Sequence, residues 1–246
     1  MSRRKLLFIA LPIMMSLMVS ITAQAASVQD AVDALDRHDY QQALDIIGPL
    51  AQKGNSDAEY NLGYMYYQGV GVEKDLAKAK ELFEKAVAQG NRRAENNLGV
   101  MYRQGDGVEK DLAKAKELFE KAAEKGFAPG ELNLGAMYAQ GDGVEKDLAK
   151  ARDLFEKAAA QGDDAAEFGL GYMYKNGVGV EKDPVRAREW YEKSAAQGFA
   201  KAEHNLATMY RDGDGVEKDL AKAKELYEKA GAQGDVEAAH AAKRLE

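Results

Sequence analysis

Residues 107–122 read GVEKDLAKAKELFEKA, and the same sixteen letters stand at residues 71–86. Close variants follow at residues 143–158, 179–194 and 215–230, so the period is 36 residues without insertion or deletion. In a chain with such a fixed period, each unit packs mainly on its neighbours. The sequence, with 46% hydrophobic and 30% charged residues, therefore predicts an elongated array of repeats instead of one compact core.

Each unit is predicted to contain two helices. In the first, Ala58, Leu62 and Tyr66 recur at helical spacing and form one apolar face. Asp75 and its equivalents stand where the N-cap of the second helix belongs. Gly63 lies inside the first helix, where glycine costs roughly 1 kcal/mol relative to alanine. Its recurrence in four units predicts a close approach of the paired helix.

The first 25 residues do not belong to the array. A basic segment with Arg3, Arg4 and Lys5 precedes an apolar run, and Ala25 ends a small-residue cleavage motif. This arrangement predicts a Sec signal peptide, residues 1–25, and a periplasmic or secreted mature protein. An uncleaved membrane anchor is the alternative interpretation, although it would need no cleavage motif.

The composition of the mature chain excludes several classes of function. Removing the three basic residues of the signal from the 34 in the chain leaves 31 against 41 acidic ones, a net charge of about −10. We therefore expect no binding to nucleic acid and no stable membrane insertion. The chain has no cysteine, so disulfides, thiolate nucleophiles and lipid attachment through cysteine are excluded.

The ends of the array differ from its centre. Residues 26–55 keep helical spacing but not the repeat letters, and residues 37–39 are predicted as a tight turn between two helices. We interpret this segment as an N-terminal capping pair. Residues 235–246 begin another first helix in which alanine replaces the repeat leucine, and we interpret it as a C-terminal capping helix. Five regular units occupy residues 56–234.

The segment LGYMYYQGVGVEKDLAKAKELFEKAVAQGN, residues 62–91, resembles Sel1-like repeats, a subclass of the tetratricopeptide superfamily. The resemblance implies an all-α, right-handed α-solenoid of antiparallel helix pairs, with the first helix of each pair on the concave side. It also implies an adaptor, a periplasmic regulator or a secreted factor that binds other proteins. One cysteine-rich branch of the family is associated with β-lactams, and this chain departs from that branch because it has no cysteine.

Comparison of the five copies indicates where a partner could bind. The first helix varies at four positions that share one face, spaced 3, 4 and 3. We call these positions and their equivalents the variable strip; they coincide with positions that tetratricopeptide-type repeats use for peptides. The sets are Asp57, Tyr60, Tyr64 and Tyr67; Arg93, Asn96, Val100 and Arg103; Pro129, Leu132, Ala136 and Ala139; Ala165, Phe168, Tyr172 and Lys175; Lys201, His204, Thr208 and Arg211.

From the strip we predict binding of an extended or helical peptide with apolar anchors, and an acidic group facing Arg103, Lys175 or Arg211. The alternative for Tyr60 and Phe168 is packing between units. The candidate partner-binding residues are Tyr60, Tyr64, Tyr67, Asn96, Arg103, Phe168, Tyr172, Lys175, His204 and Arg211.

Other motifs favour neither catalysis nor metal binding. The glycine-rich segment before each second helix resembles a phosphate loop, but the aspartate cap competes for the same amides. Residues 212–215 suggest calcium, but Val216 occupies the next ligand position. His38, His204 and His240 lie in distant units, and the S-x-x-K motif at residues 2–5 lies in the signal.

We therefore expect no enzyme, no catalytic residue, no cofactor and no metal. The predicted function is an exported, monomeric protein that binds another protein or peptide, in envelope regulation or host interaction. A periplasmic immunity protein that neutralises an antibacterial effector is the alternative in the same class. A cell-envelope enzyme is the alternative from another class, and the sequence offers it only carboxylates already predicted to be caps or surface ion pairs.

Overall fold

A computed structural model describes residues 26–245, and this part of the chain consists of helices without strands. The signal peptide predicted for residues 1–25 lies outside the described residues. The helices are α1 (Val28–Asp36), α2 (Tyr40–Gln52), α3 (Ser56–Gln68), α4 (Leu76–Ala88), α5 (Arg92–Gln104), α6 (Leu112–Glu124), α7 (Ala128–Gln140), α8 (Leu148–Ala160), α9 (Asp164–Asn176), α10 (Pro184–Ala196), α11 (Ala200–Asp212), α12 (Leu220–Ala232) and α13 (Val236–Lys243).

The second helix of each unit begins at the predicted aspartate. The side chain of Asp75 accepts hydrogen bonds from the backbone N–H groups of Ala77 and Lys78, so two of the free amides of α4 are satisfied. Asp111, Asp147, Asp183 and Asp219 cap α6, α8, α10 and α12 in the same way. The prediction of these N-caps is confirmed.

The linker between the two helices depends on glycine at two positions. Gly69 ends α3 with φ = 75°, in the left-handed region, and its N–H donates to the carbonyl of Met65. In the next unit, Gly107 has φ = 67°, and a Cβ there would lie 2.4 Å from Cβ of Leu76. The linker of one unit therefore packs against the start of the preceding unit's second helix.

The two helices of a unit meet where an aromatic ring covers a glycine. A Cβ on Gly63 would lie 2.9 Å from ring atoms of Phe83, and one on Gly99 would lie 2.7 Å from Phe119. This confirms the close approach predicted from the recurring glycine. Small apolar clusters of this kind follow one another along the chain, so the core is divided among neighbouring repeats.

The two ends have the secondary structure expected of them. A turn at His38, with φ = 63°, joins α1 to α2. At the other end, α13 follows α12 in the chain and packs against it. That these segments act as caps stays a prediction. Within residues 26–245, no helix has the length and apolar character needed to cross a membrane.

Candidate partner-binding strip

The variable strip lies on the first helices of the repeats, α3, α5, α7, α9 and α11. Its members differ in exposure. The side chains of Tyr64 and Tyr172 are the exposed large apolar groups of these helices, at 40% and 49%. The other candidate residues are half-buried or buried. The strip therefore has two exposed aromatic side chains, one in the first repeat and one in the fourth.

Tyr64 belongs to a small aromatic group at the N-terminal end. Its ring stacks on Tyr60 with 6.4 Å between centroids, and Tyr60 rests on Phe83 at 5.9 Å. The Arg93 guanidinium lies 6.0 Å from the Tyr60 ring. Burial raises the pKa of Tyr60. Tyr60 therefore packs between Tyr64 and Phe83, in agreement with the alternative that Tyr60 is a packing residue.

Three candidate residues bond to the linker of the following repeat, 39 residues later in the chain. The Tyr67 hydroxyl donates to Oδ2 of Asp106 at 2.9 Å. Nε of Arg103 donates to Asp142 at 2.8 Å, and Lys175 forms an ion pair with Asp214. Burial and the Asp106 bond raise the pKa of Tyr67 to about 12. The carboxylates predicted to come from a partner at Arg103 and Lys175 are already supplied by the chain itself.

The third repeat shows the same pairing in apolar form. Ala139 stands at the position equivalent to Arg103, and Val178, 39 residues after Ala139, stands at the position equivalent to Asp142. Both pack against one core cluster. Arg211, at the equivalent position of the fifth repeat, makes a bidentate pair with its neighbour Asp212 at 2.7 and 2.8 Å. These contacts are visible in the sequence when the repeats are compared. Aspartate follows the first linker glycine only where the residue 39 positions earlier is polar.

The remaining candidates also have partners within the chain. Asn96 is 7% exposed and accepts a hydrogen bond from Asn133 at 2.9 Å. Phe168 packs on Phe199 with 5.3 Å between centroids, as the packing alternative expects. Nδ1 of His204 lies 2.8 Å from Oδ2 of Asp235. Contact of these residues with a partner stays a prediction.

A row of buried glutamates was missed by the sequence analysis. Each first helix carries one, between 2% and 6% exposed, and its carboxylate accepts a hydrogen bond from a residue 30 positions later. The donor is glutamine in four repeats and Lys125 in the second. The row consists of Glu59, Glu95, Glu131, Glu167 and Glu203. It joins the start of each first helix to the end of the second, so its role is structural.

The buried glutamates predict a pH dependence of stability. Burial raises the pKa of Glu131 and Glu203 above the ordinary value. Because the folded pKa is the higher one, protonation favours the fold, and this contribution is lost as pH rises through the folded pKa. We expect Glu131→Gln to remove this pH dependence. As pH rises from 4 to 7 the parent loses the contribution and the variant does not, so the variant gains stability relative to the parent. Urea unfolding of both proteins across that range measures the difference, and a constant difference would contradict the prediction.

Within residues 26–245, no group of three or more histidine, cysteine, aspartate or glutamate side chains is placed to hold a metal ion. Many carboxylates of the array serve as helix caps, accept buried hydrogen bonds from glutamine or lysine, or form ion pairs along a helix, such as Lys85 with Glu81 at 2.6 Å.

The family follows from a direct comparison with known repeats. Five stretches match the family described as Sel1 repeat: residues 56–91, 92–127, 128–163, 164–199 and 200–235. The chain belongs to the Sel1 repeat family. The all-α solenoid predicted for it is confirmed, and this Sel1 array is a repeat scaffold consistent with protein–protein interaction.

Solved Sel1 structures resemble the array over most of its length. A Sel1 repeat protein from Oxalobacter formigenes is 31% identical, with a TM-score of 0.77, over 86% of this chain and 84% of that one. The protective antigen c5321 of uropathogenic Escherichia coli, which displays the same fold, is 36% identical with a TM-score of 0.74 over 88% of this chain. The alignment covers 48% of c5321, so this chain corresponds to about half of that protein.

An immunity protein is also among the structural neighbours. PA5088 from Pseudomonas aeruginosa is 26% identical, with a TM-score of 0.53, over 75% of this chain and 67% of that one. No curated protein matches the chain.

Proposed function

We propose that this Sel1 repeat protein is an exported scaffold that binds another protein or a peptide along the variable strip. The observation that carries the proposal is the exposure of Tyr64 and Tyr172. They lie on the helix face that varies between otherwise similar repeats, whereas the aromatic residues beside them are packed. Export rests on the basic and apolar segments of residues 1–25, and the N-terminal residue of the mature protein tests it.

The chemistry of the strip favours apolar anchoring. Tyrosine supplies a large, rigid contact area at low entropic cost, and it is enriched among residues that dominate binding energy. The Tyr64 ring stacks on Tyr60, so little ordering of this side chain is required on binding. Arg103 and Lys175 act indirectly, because their ion pairs with the next linker hold the strip's neighbouring repeats together.

We expect Tyr64→Ala and Tyr172→Ala each to weaken binding by roughly 2 kcal/mol, about thirtyfold in Kd. The partner is first captured from periplasmic extract and identified by mass spectrometry, and its affinity is then measured by calorimetry. Val185→Ala is the matched control, since Val185 is also 49% exposed but lies on a second helix, α10. Unchanged affinity in both tyrosine variants would refute binding along the strip.

A second candidate is an immunity function, favoured by the similarity to PA5088. In that case the captured partner is an antibacterial effector encoded beside the gene for this chain. Coexpression of the two proteins in the periplasm then restores growth that the effector alone abolishes. An adaptor has no such neighbour, and its coexpression leaves growth unchanged.

A further inference from the structure

The four junctions between successive repeats are not equivalent. In three of them, side-chain hydrogen bonds or ion pairs cross from one repeat to the next. In chain order they include Tyr67 with Asp106; Arg103 with Asp142 and Asn133 with Asn96; then Lys175 with Asp214, Asn205 with Tyr191 and Tyr210 with Glu192.

The junction between the third and fourth repeats differs in kind. Within residues 128–199, the Asp163 side chain accepts a hydrogen bond from the backbone N–H of Ala166 at 2.8 Å, which is the N-cap of α9. No hydrogen bond between two side chains and no ion pair crosses from residues 128–163 to residues 164–199. Differences at three positions account for this. Ala139 and Val178 stand where the neighbouring junctions have a polar pair, and Gly169 stands where four other first helices have asparagine.

The third–fourth junction is held by apolar contacts. Phe155, Leu170 and Met173 are buried in one cluster, with Ala139 and Val178 packed against it. A Cβ on Gly169 would lie 3.4 Å from the Phe155 ring, an ordinary contact distance, so packing alone does not require glycine there. The polar groups that fix the other junctions are therefore absent here without a steric cause.

We propose that the third–fourth junction is a hinge between two stiffer segments, residues 56–163 and 164–235. Hydrogen bonds and ion pairs fix both distance and angle, whereas apolar packing is non-directional. Two packed helices joined only by apolar contact can slide and rotate by small amounts, which is the shear and hinge motion seen between packed elements. A long array amplifies such a rotation at its ends, and Tyr64 and Tyr172 lie on opposite sides of the junction.

Pairs of spin labels test the hinge directly, because the chain has no cysteine and each introduced cysteine is a unique attachment point. Ala77, Ala113, Ala149, Val185 and Ala221 are exposed and equivalent in the five repeats. The pairs Ala113→Cys with Val185→Cys and Ala149→Cys with Ala221→Cys span the junction. The pair Ala77→Cys with Ala149→Cys has the same separation in sequence and does not span it.

In double electron–electron resonance, we expect distance distributions about twice as wide for the two spanning pairs as for the control pair. Equal widths would overturn the proposal. Two further double variants exchange the contact type between junctions: one introduces an ion pair at the third–fourth junction, and the other replaces the ion pair at the second–third junction with apolar residues. Ala139→Arg with Val178→Asp should narrow the spanning distributions, and Arg103→Ala with Asp142→Val should widen the control. If the second variant folds and its distribution stays narrow, polar pairs do not set the stiffness and the hinge assignment fails.

Discussion

Replacing Phe119 by alanine is expected to lower the free energy of unfolding by about 3–5 kcal/mol. Phe119 is fully buried, and its ring fills the space left by Gly99 at 2.7 Å from a notional Cβ. Neither helix can move closer to refill that space without disturbing its other neighbours in the array. Urea unfolding monitored by circular dichroism measures the loss.

The matched control for this prediction is Lys121→Ala. Lys121 lies on the same helix, α6, but it is exposed and pairs with Glu117 across one turn. Water screens exposed pairs of this kind, so they contribute little to stability and the control should unfold nearly as the parent does. A loss below about 1 kcal/mol for Phe119→Ala would show that the repeat collapses around the vacancy.

The architecture could be read from the sequence because its determinants are local and repeated. The aspartate caps, the glycine linkers and the ring-on-glycine contact each recur every 36 residues, and repetition separates them from chance. The family resemblance covers the same segments, and both lines predict one fold.

The side chains of the strip could be placed only in part. Helical spacing correctly set Tyr64 and Tyr172 on one exposed face, but it gave no reason to pair Arg103 with Asp142. That contact joins the last turn of one helix to a linker 39 residues later. Helical and strand periodicity relate only residues close in sequence, so neither predicts it. Comparing repeats for residues that change together would have found it, since Ala139 and Val178 change as a pair.

The buried glutamates were missed for a related reason. Glutamate is almost never fully buried unless it is paired, so the residue type gives no indication of burial at these positions. The partner lies 30 residues away, at the end of the second helix, where glutamine looks like an ordinary surface residue. Only the folded repeat brings the two together.

The second repeat offers a direct test of that row. We expect Lys125→Ala to lower the free energy of unfolding by about 2–3 kcal/mol, because it removes the charged donor of a buried carboxylate. Oε1 of Glu95 lies 2.5 Å from Nζ of Lys125, and the Glu95 side chain is 3% exposed. Its Oε2 is buried without a hydrogen-bond partner, so the described residues offer no second hydrogen bond to replace the one from Lys125.

Lys125→Gln is the matched control, because it recreates the donor used in the other four repeats. There glutamine reaches the buried carboxylate at 2.7 to 2.9 Å. We expect the glutamine variant to lose less than about 1 kcal/mol, since a neutral donor still satisfies the carboxylate. Equal losses in the two variants would mean that the energy comes from Lys125 packing or its bond to the Gly90 carbonyl. A large difference would show that the hydrogen bond to the glutamate, whatever the charge of its donor, holds the two ends of each repeat together.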